Sequence, residues 1–233
     1  MINIDVLLDA GVQVAAMSDQ SDGDCGWEGA TTGTRDHFLS ALHIPPREIA
    51  IQRQVHGILV RPVRSDTAGR GATNPLKSVG DGDGLITNVR NLPLGVTVAD
   101  CVPILLFDPR TGAIGALHAG REGTTGAIAV EGVRKLVTEF GVRPEDIQAL
   151  IAPSAGPCCY EVSSELRDRC AEQGVITRGR HLDLWETNRS QLRSSGVKDA
   201  HITVSKECTI CSDRFFSYRR QQTKARNLAV IMG

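Results

Sequence analysis

The stretch from Leu94 to His118 limits the fold of this chain more than any other. It holds three apolar runs, LGVTVAD, VPILLF and AIGALHA, punctuated by Pro103 and by the turn Asp108-Pro109-Arg110-Thr111-Gly112. Short apolar runs bounded by turn residues suit strands buried on both faces. They predict a buried sheet and place Cys101 and His118 near strand ends, where the chain leaves the core. The run from Pro103 to Phe107 is far shorter than the roughly 20 apolar residues that a membrane span needs.

The flanking chain mixes strand and helix signals. Met1 to Ala16 reads as one or two strands around Gly11. Thr34 to Ile44 reads as a helix capped by Thr34, with Phe38, Leu39 and Leu42 on one face and Pro45-Pro46 ending it. Ile49 to Val63 alternates weakly, as a strand or hairpin with His56-Gly57 at its middle. Ser65 to Asp83, rich in Gly, Ser, Thr and Asp, reads as a long mobile loop. Thr124 to Phe140 predicts an amphipathic helix that places Ile128, Val133, Leu136, Val137 and Phe140 on one face, with Gly141 at C′. A second helix is expected near Glu161, and a third capped at Asp183 with Leu184, Asn188 and Leu192 on one face. Leu228 to Met232 reads as a closing strand. With no repeat, no linker and no strict βαβ alternation, the pattern favours one α+β domain over residues 1–233 built on a layered mixed sheet.

Composition narrows the partners. The 233 residues carry a net charge of -1, so no basic excess points to nucleic acid. Trp27, Trp185, Tyr160 and Tyr218 are too few to form a stacking platform for bases. The start MINIDVLLDAG has no basic region of the kind that opens a signal peptide. Seven cysteines without a secretory signal predict reduced thiols in the cytoplasm and no membrane partner. The sequence leaves the oligomeric state open, a monomer included.

The chemistry concentrates in three short motifs: QVHG around His56, VADCVP around Cys101 and LHAGREG around His118. Two imidazoles and a thiolate suit zinc, and three protein ligands leave a fourth position for water or substrate. The same trio could instead work as a cysteine nucleophile with histidine helpers. A carboxylate beside a core cysteine is costly unless the strand ends at a polar site, so Asp100 is a candidate proton carrier. From His118 to Thr125 the chain reads as strand, glycine-bearing turn and helix start, a place where backbone N–H groups can hold an anion. Gly120, Arg121, Gly123 and Thr124 are its candidate contacts, with Arg219 or Arg220 as the next cations available. Cys208-x-x-Cys211 stands as a single CxxC. The adjacent Cys158 and Cys159 have the wrong spacing to complete it, so it reads as structural or incidental.

Taken in order, QVHG, DGDGLIT (Asp81 to Thr87), LPLGVTVADCVPILLFDP (Leu92 to Pro109), GALHAGREGT (Gly115 to Thr124), GPCCYEV (Gly156 to Val162), DLWETNRSQL (Asp183 to Leu192) and ECTICSDRFFSYRR (Glu207 to Arg220) resemble the YfiH-type, or laccase-domain, family. The likeness runs from about Arg35 onward. It implies a layered α/β/β/α mixed-sheet fold, shared with the catalytic domain of a deamidating bacterial toxin. It also implies zinc held by His56, Cys101 and His118, with the usual sixteen residues between the last two. The implied activity is that of a purine nucleoside phosphorylase with adenosine deaminase and methylthioadenosine phosphorylase activity, so the implied partners are purine nucleosides and phosphate. Members were formerly called multicopper polyphenol oxidases. Two positions depart from the family pattern. Arg121-Glu122 stands where the family has Trp-Arg, and Gly26-Trp27-Glu28-Gly29 replaces an N-terminal Asn-Leu-Gly. The competing readings are a cysteine hydrolase or deamidase using Cys101 and His118, a copper-dependent phenol oxidase, and a catalytically impaired binding module. Copper ranks lower because blue-copper chemistry asks for more histidines than these motifs supply.

Overall fold

The strands Leu94–Val98 and Val102–Phe107, three residues apart in sequence, lie in different sheets. The computed structural model describes the backbone of residues 1–233 and the side chains of all but Ala30 and Pro75. In chain order its strands are β1 (Ile2–Asn3), β2 (Val14–Met17), β3 (Ala50–Ile51), β4 (Val60–Pro62), β5 (Gly84–Thr87), β6 (Leu94–Val98), β7 (Val102–Phe107), β8 (Ile114–Ala119), β9 (Gln148–Ile151), β10 (Thr177–Arg178), β11 (His181–Leu182), β12 (Ile202–Val204) and β13 (Asn227–Met232). The helices are α1 (Asp5–Asp9), α2 (Trp27–Thr32), α3 (Thr34–Ala41), α4 (Arg121–Thr125), α5 (Ile128–Phe140), α6 (Ser164–Glu172), α7 (Leu184–Ser194) and α8 (Tyr218–Gln221).

One sheet runs β1-β2-β13-β6-β3, the other β12-β9-β7-β8-β5-β4, and β10 pairs with β11 apart from both. Each large sheet is mixed: β3 runs parallel to β6, β4 to β5 and β12 to β9. Period-two alternation decides the layering. On β7, Val102, Ile104 and Leu106 pack with Ile128, Val133 and Leu136 of α5 and with Leu184 and Leu192 of α7. Leu105 and Phe107, on its other face, meet Val96 and Val98 of β6 and Ile231 of β13. On β13, Leu228 and Val230 turn outward to Phe38 and Leu39 of α3. The order helix, sheet, sheet, helix is thus the expected α/β/β/α arrangement, held by side chains each contributing about 1.5–3 kcal/mol on burial.

Several local expectations change. Met1 to Ala16 includes the short helix α1 between its strands, with Leu7 buried and Gly11 at φ 105 turning the chain back. Ile49 to Val63 is neither one strand nor a hairpin, because β3 and β4 belong to different sheets and His56 lies in the loop between them. The helix expected over 124–140 is split. Ala127 at φ 61 separates α4 from α5, and Val137 is exposed. Side chains of α7 compensate at the break, with Gln191 Nε2 donating to Thr124 O at 2.8 Å and Asn188 Nδ2 to Thr124 Oγ1 at 2.9 Å. Gly141 at φ 64 closes α5 as a left-handed cap. The helix near Glu161 starts at Ser164, capped by Ser163, whereas α7 is capped by Asp183 as its sequence indicates. Thr34 does not cap α3; Gly33 does, and the Thr34 hydroxyl donates to Asp24 O.

Candidate metal centre

Three chain segments that leave the core at one end of the paired sheets bring His56, Cys101 and His118 together. His56 comes from the β3–β4 loop, Cys101 from the crossing between the sheets, and His118 from the end of β8. Their ligand atoms all lie within 4.8 Å of one another. The two imidazoles meet edge to face, with centroids 4.9 Å apart and planes at 78°. His118 is buried, Cys101 half-buried and His56 exposed, so the centre opens to solvent on one side.

Asp83 organises the trio. Its Oδ1 lies 2.8 Å from His118 Nδ1 and accepts from His56 N at 2.9 Å. Its Oδ2 accepts from Gly57 N at 2.7 Å and from Val55 N at 3.3 Å. One buried carboxylate thus fixes the His118 ring, leaving Nε2 to face the centre, and folds the His56 loop, where His56 takes φ 62. Gln54 anchors the same loop to β6, accepting from Thr97 N at 2.9 Å and donating to Thr97 O at 2.8 Å. Neither residue is singled out by the sequence patterns above. The available signal for Asp83 is its place in Asp-Gly-Asp-Gly, immediately before β5.

Gly120 shows how closely the donors crowd. A Cβ there would meet Cys101 Sγ at 3.0 Å, His56 Cδ2 at 3.3 Å and His118 Cε1 at 3.7 Å. A Cβ on Gly123 would meet the carbonyls of Gly57 and His118, each at 3.2 Å. Two nitrogens and one sulfur at this spacing, braced by a carboxylate behind one imidazole, are a donor set that a divalent cation can occupy.

Residues 25–233 match the family described as multi-copper polyphenol oxidoreductase laccase. The chain belongs to this family. It is 40% identical over 209 residues to purine nucleoside phosphorylase YlmD of Geobacillus stearothermophilus, an alignment covering 84% of this chain and 76% of the relative. The crystal structure of YlmD from Geobacillus stearothermophilus superposes with a TM-score of 0.87 at 33% identity, over 94% of this chain and 91% of that one. The hypothetical protein YfiH of Bacillus licheniformis gives 0.80 at 30% identity, over 86% and 79%.

In this laccase-family chain two cavities share Ala99, Cys101 and Tyr218. One, of about 600 Å³, is lined by His56, His118, Trp27, Gln54 and Thr97 among others. The other, of about 380 Å³, brings Asp100, Arg121, Tyr160 and Arg219 to the far side of Cys101. Arg121 also pairs with its neighbour Glu122 at 2.6 Å. Arg219 lies over the Tyr160 ring at 5.4 Å and donates to Glu161 O at 3.0 Å. Both Asp100 oxygens are engaged, one by Thr209 Oγ1 and one by Arg219 N, each at 2.7 Å, and its backbone takes φ 85. Thr124 lines neither cavity. It is buried, with its hydroxyl tied to Ala119 O and Asn188. Arg220 is tied to Phe215 O.

The electrostatics of the metal-free trio are those of an ion pair. Burial alone would raise the Cys101 thiol, but His118 and His56 outweigh it and bring its pKa down to about 6. Burial opposes charge on His118 too, yet the Cys101 thiolate and Asp83 raise it to about 9. Between these values the centre holds thiolate beside imidazolium, and the thiolate is lost as pH falls through about 6. Alkylation of metal-free protein by iodoacetamide, read on the Cys101 peptide by mass spectrometry, is therefore expected to titrate with a midpoint near pH 6. In His118→Ala the midpoint should move upward by about one unit or more, toward the ordinary thiol value. An unchanged midpoint would remove the ion pair.

Proposed function

We propose that the chain is a zinc-dependent purine nucleoside phosphorylase that also deaminates adenosine and cleaves methylthioadenosine. The observation that carries this reading is the position of His56, Cys101 and His118 against two cavities that share Cys101, the smaller lined by Arg121 and Arg219 and the larger by Arg53, Lys224 and Arg226. The name of the Geobacillus relative gives the reaction class. Zinc on two imidazoles and a thiolate supplies a Lewis acid and, for deamination, a water whose pKa falls toward about 7.

The chain's own residues do the rest. Arg121 and Arg219 hold phosphate in the smaller cavity, while Trp27, Gln54, Thr97 and Tyr218 enclose the nucleoside in the larger one. Phosphorolysis forms a bond from a phosphate oxygen to C1′ and breaks C1′–N9, the base leaving with a proton on nitrogen. Deamination replaces the C6 amine by oxygen from water and releases ammonia. Asp100 holds the Thr209 and Arg219 segments against the smaller cavity. Seven free cysteines suit the reducing cytoplasm. Among the described residues no helix is long and apolar enough to cross a membrane.

A second reading rests on the thiolate–imidazolium pair itself, which suits a cysteine hydrolase or deamidase. One set of assays separates the two. The zinc-loaded protein is expected to release hypoxanthine from inosine only with phosphate present, and chelation should stop it. Arg121→Ala should raise the KM for phosphate about tenfold, as expected for loss of a charge-assisted hydrogen bond, while adenosine deamination changes much less. Equal losses in both reactions would make Arg121 structural. Turnover that survives chelation and needs no phosphate would favour the hydrolase.

A further inference from the structure

The fold brings four more cysteines together. β12 runs parallel to β9, with Ile202 opposite Ala149 and Val204 opposite Ile151, so the two chains leave the sheet at the same end. The pairing reaches one step further as a bridge between Ser154 and Cys208. The loops that follow carry Cys158-Cys159 and Cys208-x-x-Cys211, and the four sulfurs all lie within 4.8 Å of one another. Cys159 and Cys211 are 2.9 Å apart and Cys158 and Cys211 3.4 Å, sulfur to sulfur.

We propose that Cys158, Cys159, Cys208 and Cys211 hold a second zinc ion, a structural tetrathiolate that ties the loop after β9 to the loop after β12. Tetrahedral zinc with bonds of about 2.3 Å sets its sulfurs about 3.8 Å apart, so these four need only small side-chain adjustments. A disulfide would need only two of them, and all seven cysteines of the chain are free. The turn at Cys208 is built for a thiolate. Gly156 N donates to Cys208 Sγ at 3.2 Å, and the N–H groups of Cys211 and Ile210 also point to that sulfur. Zinc takes its cysteine ligands as thiolates, so four sulfurs gathered at this spacing would bind it with release of protons. Cys158 and Cys211 are exposed, which gives the ion a way in.

The staple would also brace the first centre. The same two loops hold the turn that carries Cys101, through Ala155 N to Asp100 O at 2.9 Å and Thr209 Oγ1 to the Asp100 carboxylate at 2.7 Å.

Metal analysis of the full chain tests the proposal separately from the catalytic reading. The wild-type protein is expected to carry two zinc ions, and the Cys158→Ser, Cys211→Ser double variant one. That variant should melt about 5 °C or more below wild type, in line with removal of a metal linked to folding. Should it fail to fold, the Cys101→Ala protein keeps the test open. It retains all four sulfurs, so it is expected to bind one cobalt(II) with the charge-transfer absorption of a tetrathiolate. Cobalt binding without that absorption, or no binding, overturns the proposal. So does a wild-type protein with one zinc that survives in the double variant, or a count of fewer than seven free thiols after unfolding without reductant. Iron in place of zinc overturns the assignment of the ion.

Discussion

Cys101→Ala is expected to empty the first centre and abolish turnover while leaving the fold intact. The thiolate is the only anionic donor of the three, and losing it leaves two neutral imidazoles, one of them exposed. For a site with three protein ligands this should weaken zinc binding by roughly a hundredfold to a thousandfold. The structural cost is small by comparison. Cys101 is half-buried in a turn between sheets, and removing one heavy atom there should cost about 1 kcal/mol. Circular dichroism and melting should therefore stay near wild type while zinc at this site and phosphorolysis both vanish. Zinc retained at this site in Cys101→Ala, distinguished from the four-cysteine cluster by the double variant, would show that the ligand set lies elsewhere.

Asp83→Ala is the second large effect, and it should act on stability and metal together. The carboxylate is fully buried and accepts from His56 N, Gly57 N, Val55 N and His118 Nδ1. Removing it leaves backbone donors unpaired in the interior, at about 1–3 kcal/mol each for those that water cannot reach, and frees the His118 ring. A loss of about 3 kcal/mol or more is expected, together with a 10–100-fold loss of zinc affinity of the kind seen when the partner of a ligating histidine is removed. Asp83→Asn should not rescue it, because each oxygen accepts two donors and an amide NH2 would face two of them. The pH dependence follows from the shifts. Burial alone would raise the Asp83 carboxyl, but His118 and the loop N–H groups hold it below the usual carboxylate range. Its contribution is therefore full above the unfolded value of about 4 and is lost only as pH falls through the lower folded value. On the alkaline side of the metal-free protein, His118 gives up its proton near pH 9, and the ion-pair share of that contribution is lost as pH rises through this value. Metal-free wild-type and Asp83→Ala melting curves should thus lie furthest apart between about pH 4 and the ordinary histidine value of about 6.5, and draw together as pH rises from there through about 9. A variant with wild-type melting and wild-type zinc affinity would reduce Asp83 to a bystander.

The elements that were legible in the sequence are those whose signals are local. β6, β7 and β8 follow from apolar runs, the α7 cap from Asp183, and the C-terminus of α5 from Gly141. The expectations that changed each turned on something distant. Gly126, the C-cap of α4, offers a local stop signal, but Ala127 beside it is a non-glycine residue in the left-handed region, and Asn188 and Gln191 reach across from α7 to Thr124 at the break. β3 and β4 read as one element because their residues alternate alike, yet Asp83 folds the loop between them and sends them to different sheets. Asp83 itself looked like part of a glycine-rich connection, since a carboxylate behind a histidine is recognisable only once the two meet.

The cysteines make the same division. Sequence alone determined which residue types were available: soft and borderline donors in three short motifs, a CxxC, and an adjacent pair forty-nine positions before it. Spacing rules then set the pair and the CxxC apart, because such rules describe donors on one continuous turn. Only the tertiary structure decided that the two belong together, by running β12 parallel to β9 so that their loops leave the sheet at one end. In the first centre the crossing from one sheet to the other, between β6 and β7, carries Cys101 to the end of β8 where His118 lies. The physical reason is common to both. Side-chain periodicity and turn chemistry act over a few residues, whereas which strand ends meet depends on how whole hydrophobic faces pair and stack.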